Sequence, residues 1–234
     1  VGSEMCIRDR LTDVFRFKAG GAKKSCIYQS DVYSIFFLKG MSWGWFYQIV
    51  KKACENNKFA ILKVLQRYIS SEGSLLEIAS GTGQHGEFFA QKFPRLRWQT
   101  SDIPSAVARL NLRISSSNLP NLPLAIPLDV NELDSCATGY NFLFTANSLH
   151  IMSEKSVENF FIGTPAVLLN PGLLFIYGPF KYSGEFTTES NAQFDTWLKE
   201  RDPDSGVRDL ESINALAALA GLNLIEDFQM PCLL

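Results

Sequence analysis

The sequence is poor in the residues that build metal sites and disulfide frameworks. Its 234 residues include five cysteines and two histidines. The cysteines are widely separated, odd in number and without a CxxC pair, so they indicate reduced thiols in a cytosolic protein. The histidines add no metal-ligand spacing, and we expect no metal site. The cysteines are Cys6, Cys26, Cys54, Cys136 and Cys232.

Long runs of basic or apolar residues are also missing. The net charge is −2 without a sustained Lys/Arg run, which argues against nucleic acid as the main partner without excluding a local patch. Residues 32–50 are rich in aromatics and follow several basic residues. Lys39, Gly40 and Gly44 interrupt this stretch, and its apolar run is too short to span a bilayer. We therefore expect a cytoplasmic protein with no membrane segment; the oligomeric state is not indicated.

Residues 1–40 show neither helical nor strand periodicity, and we interpret them as an extraneous or disordered leader, with Met41 as a candidate start. From residue 53 onward, helical and strand patterns alternate. Strands are predicted at 75–79, 97–101, 123–128, 141–146, 173–177 and 222–229. Helices are predicted at 57–68, 84–92, 105–116, 190–200 and 210–220, and another should follow Ser153 and kink or split at Gly163 and Pro165. This alternation predicts one α/β domain at 41–234, with a doubly wound, mainly parallel sheet and helices on both faces.

The most informative stretch is LLEIASGTGQHG at residues 75–86. An apolar strand carries Glu77 and then opens into Gly81, Gly83 and Gly86, the pattern of a strand, a tight turn and a helix N-terminus that binds a nucleotide. A carboxylate inside a strand is costly to bury without a partner. A cationic ligand would supply one, and S-adenosylmethionine carries an ammonium and a sulfonium. A structural ion pair is the alternative.

Polar residues follow the other predicted strands, at the sheet edge where such folds bind ligands. Backbone amides of Gly81 and Gly83 should receive the methionine carboxylate of the cofactor. Asp102 should bind the ribose hydroxyls, Asp129 the adenine amino group, and Asn147 should lie under the methionine side. Caps or turns are the alternatives for these three residues. Ser80 and His85 complete the predicted cofactor site, although His85 could merely cap the helix.

The acceptor chemistry is expected around residues 147–150 (NSLH). His150 is a candidate general base, since an ordinary imidazole titrates near neutrality, but it could equally be a scaffold histidine. Tyr177 and Phe180 are candidates for the acceptor pocket, with Tyr177 also a candidate catalytic residue. Tyr177 and Lys181 match a Tyr-x-x-x-Lys spacing, but that pair needs a helical turn, which Gly178 and Pro179 forbid.

Several motifs together resemble the methyltransferase-like protein 26 family, a largely uncharacterised group of class I methyltransferases. The matching stretches are ACENNKFAIL at 53–62, LEIASGTGQH at 76–85, FPRLRWQTSD at 93–102, PLDV at 127–130, NSLHIM at 147–152, YGPF at 177–180 and SNAQFDTWLKERDPDSGVRD at 190–209. The resemblance implies S-adenosylmethionine as cofactor and leaves the acceptor open. It also points to distinctive polar positions as a lid and acceptor pocket, with a salt-bridged surface insertion as the alternative. These positions are Glu55, Asn57, Asn191, Asp195, Arg201, Asp202, Arg208 and Asp209.

The chain departs from this family at its end and at several positions. Asn56, Phe59-Ala60 and Asn141 differ from the family's preferences. The family continues after Pro231 into a final antiparallel strand that pairs between predicted strands five and six. We therefore expect a truncated chain in which predicted strand six lacks its neighbour.

Three functions remain open from the sequence. The leading one is an S-adenosylmethionine-dependent methyltransferase acting on a small molecule. A nicotinamide-dependent oxidoreductase is the second, because Gly81, Gly83 and Gly86 fit the dinucleotide fingerprint. A cofactor-binding module without catalytic activity is the third.

Overall fold

The computed structural model describes residues 10–17, 43–69, 72–135 and 139–230 of the chain. The helices of this part are α1 (Trp43–Tyr68), α2 (Gln84–Lys92), α3 (Pro104–Ser117), α4 (Glu154–Val167), α5 (Glu189–Arg201) and α6 (Leu210–Leu219). The strands are β1 (Arg10–Phe17), β2 (Gly73–Ile78), β3 (Leu96–Asp102), β4 (Ile126–Pro127), β5 (Tyr140–Ala146), β6 (Leu168–Gly178), β7 (Phe180–Tyr182), β8 (Glu185–Phe186), β9 (Arg208–Asp209) and β10 (Leu222–Gln229). A 3₁₀ turn covers Val130–Ser135.

Seven strands form one twisted sheet in the order β10-β1-β6-β5-β2-β3-β4. The five strands from β6 to β4 in this order pair in parallel, with Glu77 opposite Thr100 and Ile78 opposite Thr145. Crossover helices connect these strands, as parallel neighbours require. The predicted doubly wound, mainly parallel α/β fold is confirmed.

Strand β1 corrects two predictions about the chain ends. It lies between β6 and β10 and pairs antiparallel with both, Arg16 facing Leu173 on one side and Asn223 on the other. Residues 10–17 therefore form a strand and are not disordered, while the alternative that the leader is extraneous stays a prediction. The expectation that β10 lacks a neighbour is wrong, because β1 pairs with it in the antiparallel position expected of a later segment. The remainder of the predicted leader, residues 1–9 and 18–40, and the candidate start Met41 lie outside the described residues.

Apolar side chains cover both faces of the sheet. On one face, α1, α2 and α3 pack on β2, β3 and β5 through residues that include Leu65, Phe89 and Trp98. On the other face, α4 and α6 pack through residues that include Phe160 and Ile213. Full burial of such side chains contributes about 1.5–3 kcal/mol each. The two layers fix the sheet, and with it the carboxyl ends of its parallel strands.

Most predicted elements are present, with instructive differences at their ends. The predicted bounds of α2 and β10 are confirmed, whereas α1 begins at Trp43 and β6 at Leu168, well before the predicted starts. Strand β4 has only two residues, and α4 continues past Pro165 instead of splitting. Among the described residues, no helix combines the length and apolarity needed to cross a membrane.

Candidate functional site

The loop after β2 has a left-handed backbone at three positions. Ala79, Gly81 and Gly83 have φ values of 56°, 57° and 75°. A Cβ built on Gly81 would meet nothing within 4 Å, whereas one on Gly83 would lie 2.6 Å from Cδ1 of Leu110. Gly83 therefore serves packing against α3, and Gly81 faces open space. This loop precedes α2, whose first-turn amides carry the partial positive charge of a helix N-terminus.

Glu77 is buried beneath α2. Its side chain is 2% exposed, and its Oε2 accepts a hydrogen bond of 2.5 Å from the indole Nε1 of Trp98. Burial raises the pKa of Glu77 to about 8, against the opposing effect of the Trp98 hydrogen bond. Within the described ranges, no cationic side chain forms an ion pair with it. The alternative of a structural ion pair therefore finds no support among these residues.

Asp102 and Ser80 connect the carboxyl ends of β2 and β3. The Asp102 carboxylate accepts hydrogen bonds from the amides of Gly81 (2.7 Å) and Ile103 (2.8 Å). Burial raises its pKa, and these two amide bonds act in the opposite direction. The Ser80 hydroxyl donates to the carbonyl of Glu77 and accepts from the amide of Ser101, so it ties the two strands together. Asp102 thus holds the glycine loop directly. The amides of Gly81 and Gly83, predicted to receive the methionine carboxylate, donate in this structure to Asp102 and to the carbonyl of Ser80.

The ends of β4 and β5 carry the next two predicted residues. Asp129 accepts from the backbone amide and the side-chain amide of Asn131, at 2.9 and 2.8 Å, which is the geometry of a turn cap. Asn147 has a left-handed backbone (φ 55°), and its amide donates to the carbonyl of Tyr177 at 2.7 Å. Both residues lie at the predicted edge of the sheet, and each also has a local structural role.

His85 belongs to a polar contact between α1 and the start of α2. Its Nε2 lies 2.7 Å from Oδ1 of Asn57, and its ring stacks on Phe89. An amide oxygen can only accept, so the Asn57 contact assigns the proton to Nε2. Burial, and then the positive charge of Lys58, lowers the pKa of His85 to about 4. Next to this pair, Gln84 donates to Oε1 of Glu55 at 3.2 Å.

His150 is buried in the turn that follows β5. Its side chain is 6% exposed and packs edge-on against Phe194, with ring centroids 5.1 Å apart. A Cβ on Gly178 would lie 3.5 Å from its Nδ1, so the end of β6 borders the ring. Burial, and then the charge of Arg208, lowers the pKa of His150 to about 3. The imidazole is neutral at physiological pH and is a weak base in this structure.

The predicted acceptor residues separate into different environments. Tyr177 and Phe180 are buried in the cores on opposite faces of the sheet. Asn57 contacts His85 on α2, and its place in the lid and acceptor pocket stays a prediction. On α5, Asn191 donates to Thr187, Asp195 accepts from the amide of Val207, and Arg201 lies 4.3 Å from the Trp197 ring centroid.

Two contributors to this region were not predicted from the sequence. Trp98 supplies the hydrogen bond to Glu77, and Gln84 joins α2 to α1. The only available signal for Trp98 was its position on the strand that precedes Asp102. Arg208 was predicted as a distinctive position, and the structure shows that it binds the backbone of the His150 turn, with the carbonyl of Leu149 59 residues before it in the chain.

Comparison with known proteins gives a family and a fold. A family model described as "Protein of unknown function (DUF938)" matches residues 48–233. An O-methyltransferase family protein from Burkholderia thailandensis superposes with a TM-score of 0.63 at 13% identity, over 73% of this chain and 52% of that one. An O-methyltransferase family 2 protein from Planctomyces limnophilus, in complex with apigenin, gives 0.59 at 19% identity, over 68% and 48%.

Human N-acetylserotonin methyltransferase, in complex with S-adenosylmethionine, is similar at a TM-score of 0.63 and 14% identity, over 75% of this chain and 49% of that one. The present chain spans about half the length of these three proteins. At this level of identity the similarity shows the fold, which is the Rossmann-like α/β fold of class I methyltransferases.

Proposed function

The chain belongs to the DUF938 family, whose function is unassigned, and we propose that it is an S-adenosylmethionine-dependent methyltransferase acting on a small-molecule acceptor. One observation carries the proposal: Glu77, Gly81 and Asp102 meet at the carboxyl ends of β2 and β3. There the Asp102 carboxylate binds the Gly81 amide at 2.7 Å, beside an acid that lacks a described cationic partner. Such an edge is where open α/β sheets bind their ligands.

The residues at this edge fit the cofactor. The ammonium of S-adenosylmethionine is a partner for the Glu77 carboxylate, and the open side of Gly81 admits the methionine backbone. A carboxylate offers about four acceptor positions, so Asp102 can keep its two amide bonds and also bind ribose hydroxyls. Asp129 can likewise keep Asn131 and accept from the adenine amino group. Ser80, Gly83, His85 and Asn147 would line the same site.

The bound cofactor would supply an electrophilic methyl group on sulfur. The role of the protein would be to position the acceptor nucleophile in line with that methyl group. Holding two reactants in line converts a bimolecular reaction into an effectively unimolecular one. His150, neutral in this structure, can donate or accept a hydrogen bond and orient a nucleophile. Apigenin and N-acetylserotonin, which name the ligand or substrate of two structurally similar proteins, support a small organic acceptor.

Two further assignments belong to this proposal. We assign the chain to the methyltransferase-like protein 26 family on the motifs described above, and we place it in the cytoplasm. A non-catalytic S-adenosylmethionine-binding module is the second candidate. The observation in its favour is that Phe180 is in the core and that Asn191 and Asp195 make hydrogen bonds within the fold.

Calorimetric titration with S-adenosylhomocysteine, with NADH as the comparison ligand, tests the proposal. We expect micromolar binding of S-adenosylhomocysteine and none of NADH. Asp102→Asn removes the charge but keeps the size, and should weaken binding at least tenfold, since a hydrogen bond to a charged group contributes about 1.5–3 kcal/mol. Glu158→Gln, which alters an exposed acid paired with Lys155, is the control. Binding of NADH alone, or of neither ligand by folded protein, would refute the proposal.

A further inference from the structure

The turn that carries His150 is held by one arginine. Arg208 donates from Nε to the carbonyl of Leu149 at 3.1 Å, and from Nη2 to the carbonyls of Met152 and Asp204, the latter at 2.9 Å. The first two carbonyls flank His150 in the chain. A single planar guanidinium therefore fixes the backbone on both sides of the imidazole, which lysine, with one point charge, cannot reproduce.

Two further contacts join this turn to α5. The amide of Gly206 donates to the carbonyl of His150 at 2.9 Å, and the amide of Val207 donates to Oδ1 of Asp195 at 2.7 Å. From α5, Phe194 packs on the imidazole. The His150 turn, the segment before Arg208 and α5 thus form one framework around the ring.

The ring nitrogens of His150 can still form hydrogen bonds. Among the described residues, none forms a hydrogen bond with either ring nitrogen of His150, and neither nitrogen is among the fully enclosed polar atoms that lack a partner. The ring nitrogens of this largely buried side chain therefore still reach solvent. A framework that holds an imidazole with free, accessible ring nitrogens at the end of β5 points to a hydrogen-bonding partner brought by a ligand.

We propose that Arg208 is a positioning residue of the acceptor site, which holds the His150 turn so that the imidazole presents its ring nitrogens to the methyl acceptor. The inference rests on the proposed function, since it places the acceptor beside the methyl donor. Arg208 also contributes a positive charge close to the ring. Four acids contribute negative charge near this guanidinium: Glu154, Asp195, Asp202 and Asp204.

Nitrogen NMR of the two histidine side chains tests the proposal without any ligand. The chain contains only His85 and His150, so His150→Gln assigns both sets of ring signals. Arg208→Gln removes both the planar guanidinium and its positive charge, whereas Arg208→Lys removes the planar guanidinium and keeps a positive charge. Glu154→Gln is the matched control, because it removes only an exposed carboxylate 3.6 Å from Arg208. His85 contacts Asn57 and Phe89 and reports on the rest of the fold.

We expect the His150 ring signals of the wild type to show no titration step between pH 5 and 8. In both Arg208 variants these signals should move, more strongly in Arg208→Gln, while the signals of His85 stay unchanged. Unchanged His150 signals in either Arg208 variant would overturn the proposal. So would joint movement of both histidines, which would make Arg208 a support of the whole fold, or an equal effect of Glu154→Gln. Failure of S-adenosylhomocysteine to bind the wild type would refute the proposed function and leave this NMR result intact.

Discussion

Glu77→Gln should change the way in which stability depends on pH. The pKa of Glu77 is about 8 in the folded protein, above its ordinary value of 4.5, because of burial. Between these two values the folded protein binds more protons than the unfolded chain, so the free energy of unfolding falls as pH rises. For one such group the loss between pH 5.5 and 7.5 amounts to roughly 2 to 3 kcal/mol. Glutamine keeps the hydrogen bond to Trp98 and cannot ionise.

Urea unfolding of both proteins at half-unit steps from pH 5.5 to 7.5 measures this difference. Other titrating groups contribute equally to both proteins, so the difference between the two curves isolates position 77. The variant should gain stability relative to the wild type as pH rises. Parallel curves over this range would mean that Glu77 is already ionised in the folded protein, and the argument from burial would be refuted.

Three other predictions concern the loop and the sheet. Gly86→Ala would place a methyl group 2.6 Å from Cγ2 of Thr100, and urea titration should show a loss of about 1–3 kcal/mol; an unchanged midpoint would contradict the close packing of α2. Gly81→Ala, at φ 57°, should cost about 1–2 kcal/mol and should also weaken S-adenosylhomocysteine binding in calorimetry. Normal affinity of the variant would contradict ligand binding at this loop. Deletion of residues 1–17 should lower Tm and promote association, measured by light scattering, because β6 and β10 lose their shared neighbour; an unchanged Tm would show that β1 is dispensable.

The bounds of an element could be predicted where residues at its own ends mark its start and its end. Helix α2 begins after Gly83 and ends before Pro94, and both ends were predicted from these residues. Strand β4 was overestimated because an apolar stretch was given more weight than its prolines. Pro123 and Pro127 lack the amide proton that strand pairing uses, and only Ile126–Pro127 pairs.

Partners distant in sequence decided the remainder of the fold. Arg10–Phe17 becomes a strand because β6 and β10 lie on both sides of it, which its own pattern does not reveal. Helix α1 extends back to Trp43 through an aromatic-rich segment that lacks clear amphipathic spacing. For β1, pairing between strands distant in sequence supplied the information that periodicity did not.

The candidate site shows the same division. Glu77, Gly81, Asp102 and Asn147 could be placed at one sheet edge because parallel strands end together. The side-chain partners could not be predicted, since contacts such as Asn57 with His85 join residues 28 apart in the chain through the packing of two helices. Asp195 accepts a hydrogen bond from the amide of Val207, a contact the sequence did not indicate, and its place at an acceptor pocket stays a prediction.

The most direct test of the central claim is the proton released when S-adenosylhomocysteine binds. With a pKa of about 8, about nine tenths of Glu77 is protonated at pH 7. An ammonium group beside it should lower the pKa of Glu77 and release that proton. Calorimetry at pH 7 in buffers of different ionisation enthalpy should therefore show release of up to about 0.9 proton by the wild type and none by Glu77→Gln. Equal proton release by both proteins, or no binding by folded wild type, would contradict the account.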